Sequence, residues 1–351
     1  MNQSEIENAN MSANISSTFR ILQIAQRFFV VPSLTALILN GAILHTITKS
    51  KNLSKLPTYH LIANMVGSDL ATGITFSILP FVSSFPLPFV MADIICRALS
   101  YIIGMSYMAS ILTLVAISLD RYLSILKPLL LASRQKKLIV FKRLIVAIWI
   151  ISITASLPLI YVTGTIPGST NSCAVLQRDH FNFIYFITVT VLLYVAPLVT
   201  MSVLYNKIYC FLVAKAKICK AESNDPSKQT AVASSFLTND KRKALVKTLI
   251  IITTVFAAMT WPFFAMASGM AVTGIDIRDL ERKSLFLFLL CAVAASSTVM
   301  TSVVNPILLI RFDKNIGARI TRLYGQIKRG MNISNESSSN LPTAASKETP
   351  A

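Results

Sequence analysis

The chain has 351 residues, 54% of them hydrophobic and only 14% charged, which is too apolar for an ordinary soluble domain of that length. Its 33 Lys and Arg against 15 Asp and Glu give a formal net charge of +18, a balance that suits nucleic acid only if the charge is gathered on a folded surface. Here it is parcelled between long apolar runs, which excludes nucleic acid as a partner and directs attention to a membrane.

In chain order, residues 1–27 are polar and are expected to form an extracellular segment without a core of its own. They hold Asn-x-Ser sequons at Asn2, Asn10 and Asn14, candidates for glycosylation on an outside-facing segment. No signal-peptide core precedes the first apolar run, so that run is expected to act as the anchor. Seven runs follow, at Phe28–Thr48, Thr58–Val82, Ile94–Leu119, Leu144–Thr163, Phe181–Tyr205, Leu245–Val272 and Leu285–Ile310. Each is close to the roughly 20 apolar residues of helix that cross a bilayer. They are continuously apolar, whereas barrel strands alternate in polarity over about ten residues. The expected fold is therefore an all-α membrane protein, a seven-transmembrane helix bundle over residues 28–312.

Only 7 of the 33 basic residues fall in the N-terminal segment and the second, fourth and sixth loops; the other 26 lie on the opposite side, which the positive-inside rule assigns to the cytoplasm. The N-terminus is thus expected outside and the C-terminus inside, with the plasma membrane as the location. After the seventh run, residues 313–329 alternate Ile316, Ile320, Leu323 and Ile327 with Lys314, Arg319, Arg322 and Lys328, the pattern of a short amphipathic helix on the membrane surface. Residues 218–240 and the Ser- and Asn-rich tail, 330–351, lack the apolar content to fold alone.

Of five cysteines, only Cys96 and Cys173 fall on the extracellular side, where they can pair. Cys210, Cys219 and Cys291 read as packing thiols. Asp69 is the lone acid within the runs away from their ends, so it needs a partner or a proton. The three histidines, His45, His60 and His180, form no metal-spaced pair, and neither a phosphate loop nor a nucleophile elbow is present, which argues against an enzyme.

At the inner end of the third run stands Asp120-Arg121-Tyr122, where an Arg can snorkel to the interface while pairing with Asp120. With its placement, this triplet resembles the rhodopsin-like (class A) G-protein-coupled receptors. The likeness extends from Phe28 to Leu323 through Asn40, Asn64 to Asp69, Trp149, Pro158, Pro197, Tyr205, Phe256, Pro262 and Asn305-Pro306. It implies a disulfide between Cys96 and Cys173 and coupling to a heterotrimeric G protein through Asp120, Arg121, Tyr122 and Tyr205. Arrestin and receptor kinases are further cytoplasmic partners it implies. Taken singly, each landmark also suits plain helix packing.

The resemblance also implies an allosteric sodium ion beside Asp69, with Ser110, Ser302 and Asn305 as further ligands; a protonated or water-bridged Asp69 is the alternative. Thr301 stands where the family more often has Asn. No resident cofactor is expected. Three further departures affect the moving parts. Trp261 is one residue late, leaving Thr260 at the pocket floor, Leu309 replaces a Tyr that links through water to Tyr205, and Arg242 stands where some relatives place a Glu that restrains Arg121.

The ligand pocket that the family implies would be lined by Ile103, Gly104, Tyr107, Phe186, Thr260, Phe263, Phe264, Ala295 and Val299. Ile103 replaces the acid of amine receptors and Val299 the lysine of light receptors, so a buried amine counter-ion and a retinal linkage are both excluded. Two ligand classes stay open. A peptide would use Arg178, Asp179, Asp276, Arg278, Asp279, Glu281 and Arg282 as polar contacts, whereas a lipid would leave them as a solvated rim. The peptide is favoured. The departures leave room for a non-signalling receptor, and a seven-helix transporter is the reading from another class; a transporter would need more intramembrane charges than Asp69.

Overall fold

The computed structural model of the chain describes residues 29–85, 87–127, 133–165, 173–176, 180–222, 229–275, 280 and 283–339, with the side chains of 81, 83, 84, 216–249, 327 and 330–339 outside that description. Among the described residues, seven helices are long and apolar enough to cross a membrane. They are α1 (Val30–Lys49), α2 (Pro57–Ser84), α3 (Phe89–Leu126), α4 (Arg134–Val162), α5, α6 (Gln229–Thr273) and α7 (Leu285–Phe312). The fifth is built of His180–Thr190, a π-helical turn at Val191–Val195, and Ala196–Glu222. Pro197 explains the turn, because its ring lacks an N–H and crowds the carbonyl four residues back, which a wider turn relieves. The widened turn leaves Leu193 facing inward, 6% exposed.

The third helix is the axis. Of its most apolar window 61% is buried, against 17% in α5, so α3 is wrapped by neighbours while α5 faces lipid over most of its surface. Lipid tails give no hydrophobic drive for helices to associate, so polar staples and close packing hold them. Asn40 donates to the Ser302 carbonyl at 2.8 Å, joining α1 to α7. Asn64 donates to Thr113 at 2.8 Å and accepts from the Trp149 indole at 2.8 Å, tying α2, α3 and α4 at one point. Thr72 and Ser106 share a 2.8 Å bond higher in the same seam.

The helices outrun the apolar stretches that announce them. The third spans Phe89–Leu126 rather than Ile94–Leu119, and α6 begins at Gln229 rather than Leu245. Polar turns continue a helix into water where no breaker intervenes, and hydropathy does not register them. The amphipathic helix, α8, likewise runs Lys314–Ser339, ten residues into the expected tail; Gly330 alone does not stop it, and the next proline is Pro342. An antiparallel pair of three-residue strands, β1 (Thr163–Thr165) and β2 (Cys173–Val175), lies between α4 and α5 as an addition to the all-α bundle.

The start of α8 is fixed by a cluster absent from the sequence-based reading. Asp313 caps the helix, accepting from the Asn315 and Ile316 amides at 2.9 and 3.1 Å. The Tyr59 hydroxyl of α2 donates to the same carboxylate at 3.1 Å and accepts from Asn315 at 3.1 Å. Ile316 is fully buried, and a Cβ on Gly317 would sit 2.5 Å from the Ile310 carbonyl oxygen, so only glycine permits this approach.

Candidate functional site

Above the outer ends of the helices the two-stranded hairpin forms a cover. A disulfide joins Cys96 of α3 to Cys173 of β2, with Cα atoms 5.5 Å apart. Asp93 accepts the Thr165 amide at 2.7 Å and pairs with Arg97 at 2.7 Å, while Arg97 donates to the Ile160 carbonyl at 2.6 Å. The disulfide and the Thr165 hydrogen bond to Asp93 therefore fix the two strands to α3, and Arg97 ties α3 to α4. Gly164 allows it, since a Cβ there would meet the Asp93 carboxylate at 2.6 Å.

Below the cover lies a cavity of about 230 Å³. Ile103, Gly104, Tyr107, Phe186, Phe263, Phe264 and Ala295 line it. Its floor is an aromatic layer: Phe264, 2% exposed, stacks on Tyr194 with ring centres 5.4 Å apart, and Tyr107 meets Phe263 edge-on at 5.9 Å. Two expected lining residues do not reach the cavity. Thr260 is fully buried beneath this layer, bonded to the Phe256 carbonyl at 2.8 Å, because Phe264, one turn outward on the same face, closes the floor above it. Val299 is fully buried in helix packing, and its neighbour Thr298 takes the wall. Trp261 points outward, 54% exposed, as its late position implies.

The cavity also takes in residues that the sequence-based reading missed: Leu159, Thr163, Val175 and Asn182 from α4, the hairpin and the start of α5. They depend on how the cover folds back, for which helical periodicity carries no signal. The charged loop residues considered as peptide contacts, Arg178, Asp179, Asp276, Arg278, Asp279, Glu281 and Arg282, lie outside the described residues, as do the sequons at Asn2, Asn10 and Asn14.

Midway down the bundle, Asp69 is 1% exposed. Ser110 donates to it at 2.9 Å, Ser302 at 3.3 Å and Asn305 at 3.1 Å, so the four residues converge from α2, α3 and α7. Two carboxylate oxygens and two hydroxyls are oxygen ligands of the kind a hard cation takes, while Asn305 presents its Nδ2 to the carboxylate.

Beneath this cluster a hollow of about 40 Å³ is bounded by Ser118, Tyr205, Thr253, Phe256, Asn305 and Leu309. The Tyr205 hydroxyl is hydrogen-bonded to Ser118, linking α5 to α3 where Leu309 offers no hydroxyl. Asp120 does not take its neighbour Arg121 as its ion-pair partner. It pairs with Lys137 of α4 at 2.5 Å and accepts from Thr58 of α2 at 2.9 Å. Successive helical residues point about 100° apart, so the carboxylate turns into the seam between α2 and α4 while Arg121 faces another direction. Arg121 and Tyr122 are half-buried at the inner end of α3. The side chain of Arg242 lies outside the described residues.

The family model of seven-transmembrane receptors of the rhodopsin family matches residues 39–309. The chain is 32% identical over 180 residues to the trissin receptor of Drosophila melanogaster, covering 48% of this chain and 26% of that receptor. It is 23% identical over 283 residues to the neuropeptide S receptor of Macaca mulatta, covering 79% and 73%. It is also 23% identical over 329 residues to the QRFP-like peptide receptor of Branchiostoma floridae, covering 85% and 79%. These relatives are receptors, not enzymes. Seven apolar helices and a match across most of their length make this a multi-pass membrane protein that belongs to the rhodopsin family of seven-transmembrane receptors.

Proposed function

We propose that the protein is a plasma-membrane receptor that takes an extracellular peptide in its outer cavity and activates a heterotrimeric G protein at the inner end of α3. The observation that carries this reading is the hollow beneath a disulfide-tied cover, with a second, smaller hollow bounded by Ser118 and Tyr205 on the other side of the Asp69 cluster. Two relatives named as peptide receptors, the neuropeptide S receptor and the QRFP-like peptide receptor, favour a peptide over a lipid. The excess of basic residues on one side supports an extracellular N-terminus, glycosylated at Asn2, Asn10 and Asn14, and a cytoplasmic C-terminus open to arrestin and receptor kinases.

In this mechanism ligand and G protein each bind the active bundle better than the inactive one, so each raises the affinity of the other. Arg121, with Asp120 held by Lys137, is the group the G protein meets; Tyr122 and Tyr205 flank it. Asp69, Ser110, Ser302 and Asn305 would hold sodium when the bundle is inactive. The test is nucleotide exchange on a panel of G proteins in membranes, basal and with a peptide library, for wild type and Arg121→Ala at matched surface level. Exchange by wild type that falls about tenfold or more in the variant is expected; equal exchange in both, or none in either, overturns the reading.

A further inference from the structure

A lysine near the cytoplasmic end of a membrane helix ordinarily extends its ammonium into water. Lys137 of α4 keeps only 17% of its side chain exposed and is held from three directions. Its Nζ pairs with Asp120 at 2.5 Å, donates to Ser124 Oγ at 3.0 Å and lies 5.3 Å from the centre of the Phe141 ring. One turn earlier, Arg134 donates to the Lys55 carbonyl at 3.0 Å, which fixes the start of α4 against the segment joining α1 to α2. Asp120 is saturated in turn. Its Oδ1 accepts from Lys137 and from Ser124 at 3.3 Å, and its Oδ2 accepts from Thr58 at 2.9 Å. Arg121 has no ion-pair partner among the described residues, and its guanidinium is near enough to the Tyr59 and Tyr205 hydroxyls to act on both electrostatically.

We infer that Lys137 is a positioning residue for Arg121: by occupying Asp120 it keeps that carboxylate from drawing Arg121 aside, and so leaves the guanidinium available at the cytoplasmic face. A buried carboxylate deprived of its cation is costly. Arg121, next in the chain and on a long flexible stem, is then the cation that replaces Lys137. Successive helical residues point about 100° apart, so capture would turn Arg121 from Tyr59 and Tyr205 toward the seam between α2 and α4. Lys137 therefore sets how much of the protein holds Arg121 free before any ligand binds. The consequence for signalling rests on Arg121 being the group a G protein meets, whereas the test reads the guanidinium itself.

The full chain in lipid nanodiscs is treated with phenylglyoxal, which modifies accessible guanidinium groups. Modification of Arg121 is followed by peptide mass spectrometry, with the exposed Arg311 as internal reference. Lys137→Met should slow modification of Arg121 about fivefold, because Asp120 then holds the guanidinium. Adding Asp120→Asn to Lys137→Met should restore the rate, since no carboxylate remains to capture Arg121; a merely structural tie would leave the double variant no better than the single one. Lys137→Arg, which keeps the cation, should retain the wild-type rate at Arg121. In membranes at matched surface level, basal nucleotide exchange should fall and recover in the same order. Equal modification of Arg121 in wild type and Lys137→Met, or a double variant as slow as Lys137→Met, overturns the inference. Modification in the expected order with no exchange in wild type supports the latch and overturns the coupling reading alone.

Discussion

The outer and inner halves of the bundle are held by different means. Outside, a disulfide and the Thr165 hydrogen bond to Asp93 brace a cover over an apolar hollow of about 230 Å³. Inside, the void is only about 40 Å³, and side-chain hydrogen bonds such as Ser118 to Tyr205, Thr58 to Asp120 and Tyr59 to Asp313 run between helices. The outer half adds to its interhelical bonds, such as Thr190 to Ser268, the covalent brace of the cover. The inner half is closed by side-chain bonds alone, without a covalent brace among the described residues.

Breaking the disulfide tests the outer half most severely. Cys173→Ser should lower stability by about 2–4 kcal/mol, the range for long closed loops, and reduce binding of any cavity probe; a thermal melt of the purified variant checks it. At the boundary between the halves, sodium should raise the melting temperature of wild type and leave Asp69→Asn unchanged. At tenfold excess over its dissociation constant the ion would contribute about 1.4 kcal/mol. An identical sodium response in both proteins removes the cation from the scheme.

Ser118→Ala sharpens the inner half. It frees Tyr205 from α3 at a cost of about 1 kcal/mol and should raise basal nucleotide exchange without altering probe binding. Tyr59→Phe should have the smallest effect, about 0.6 kcal/mol, seen as faster amide exchange at Asn315 and Ile316 with the outer cavity unaffected. If either inner substitution changes probe affinity as much as it changes the cytoplasmic readout, the two halves are not separable in this way.

Much of this was legible in the sequence, and the exceptions share a cause. Continuous apolar runs disclosed the seven helices, since a membrane allows no other use for them. Their ends were not legible, because the polar turns of α3 beyond Leu119 and of α6 before Leu245 resemble loop. The Asp69 partners came from a resemblance to known receptors, and the structure draws them together. Asp120 beside Arg121 invited a local pair, and only the approach of α4 makes Lys137 the nearer cation. Asn182 depends on the course of the hairpin, so no spacing rule pointed to it.

The weld between α2 and the start of α8 also has a mechanical meaning. Tyr59 and Asp313 are 254 residues apart in sequence, yet their bond lies beside the hinge at which the chain leaves α7. Tension applied through the C-terminal end of α8 is shared at that joint by two membrane-spanning segments, so α7 is not the first to be drawn out.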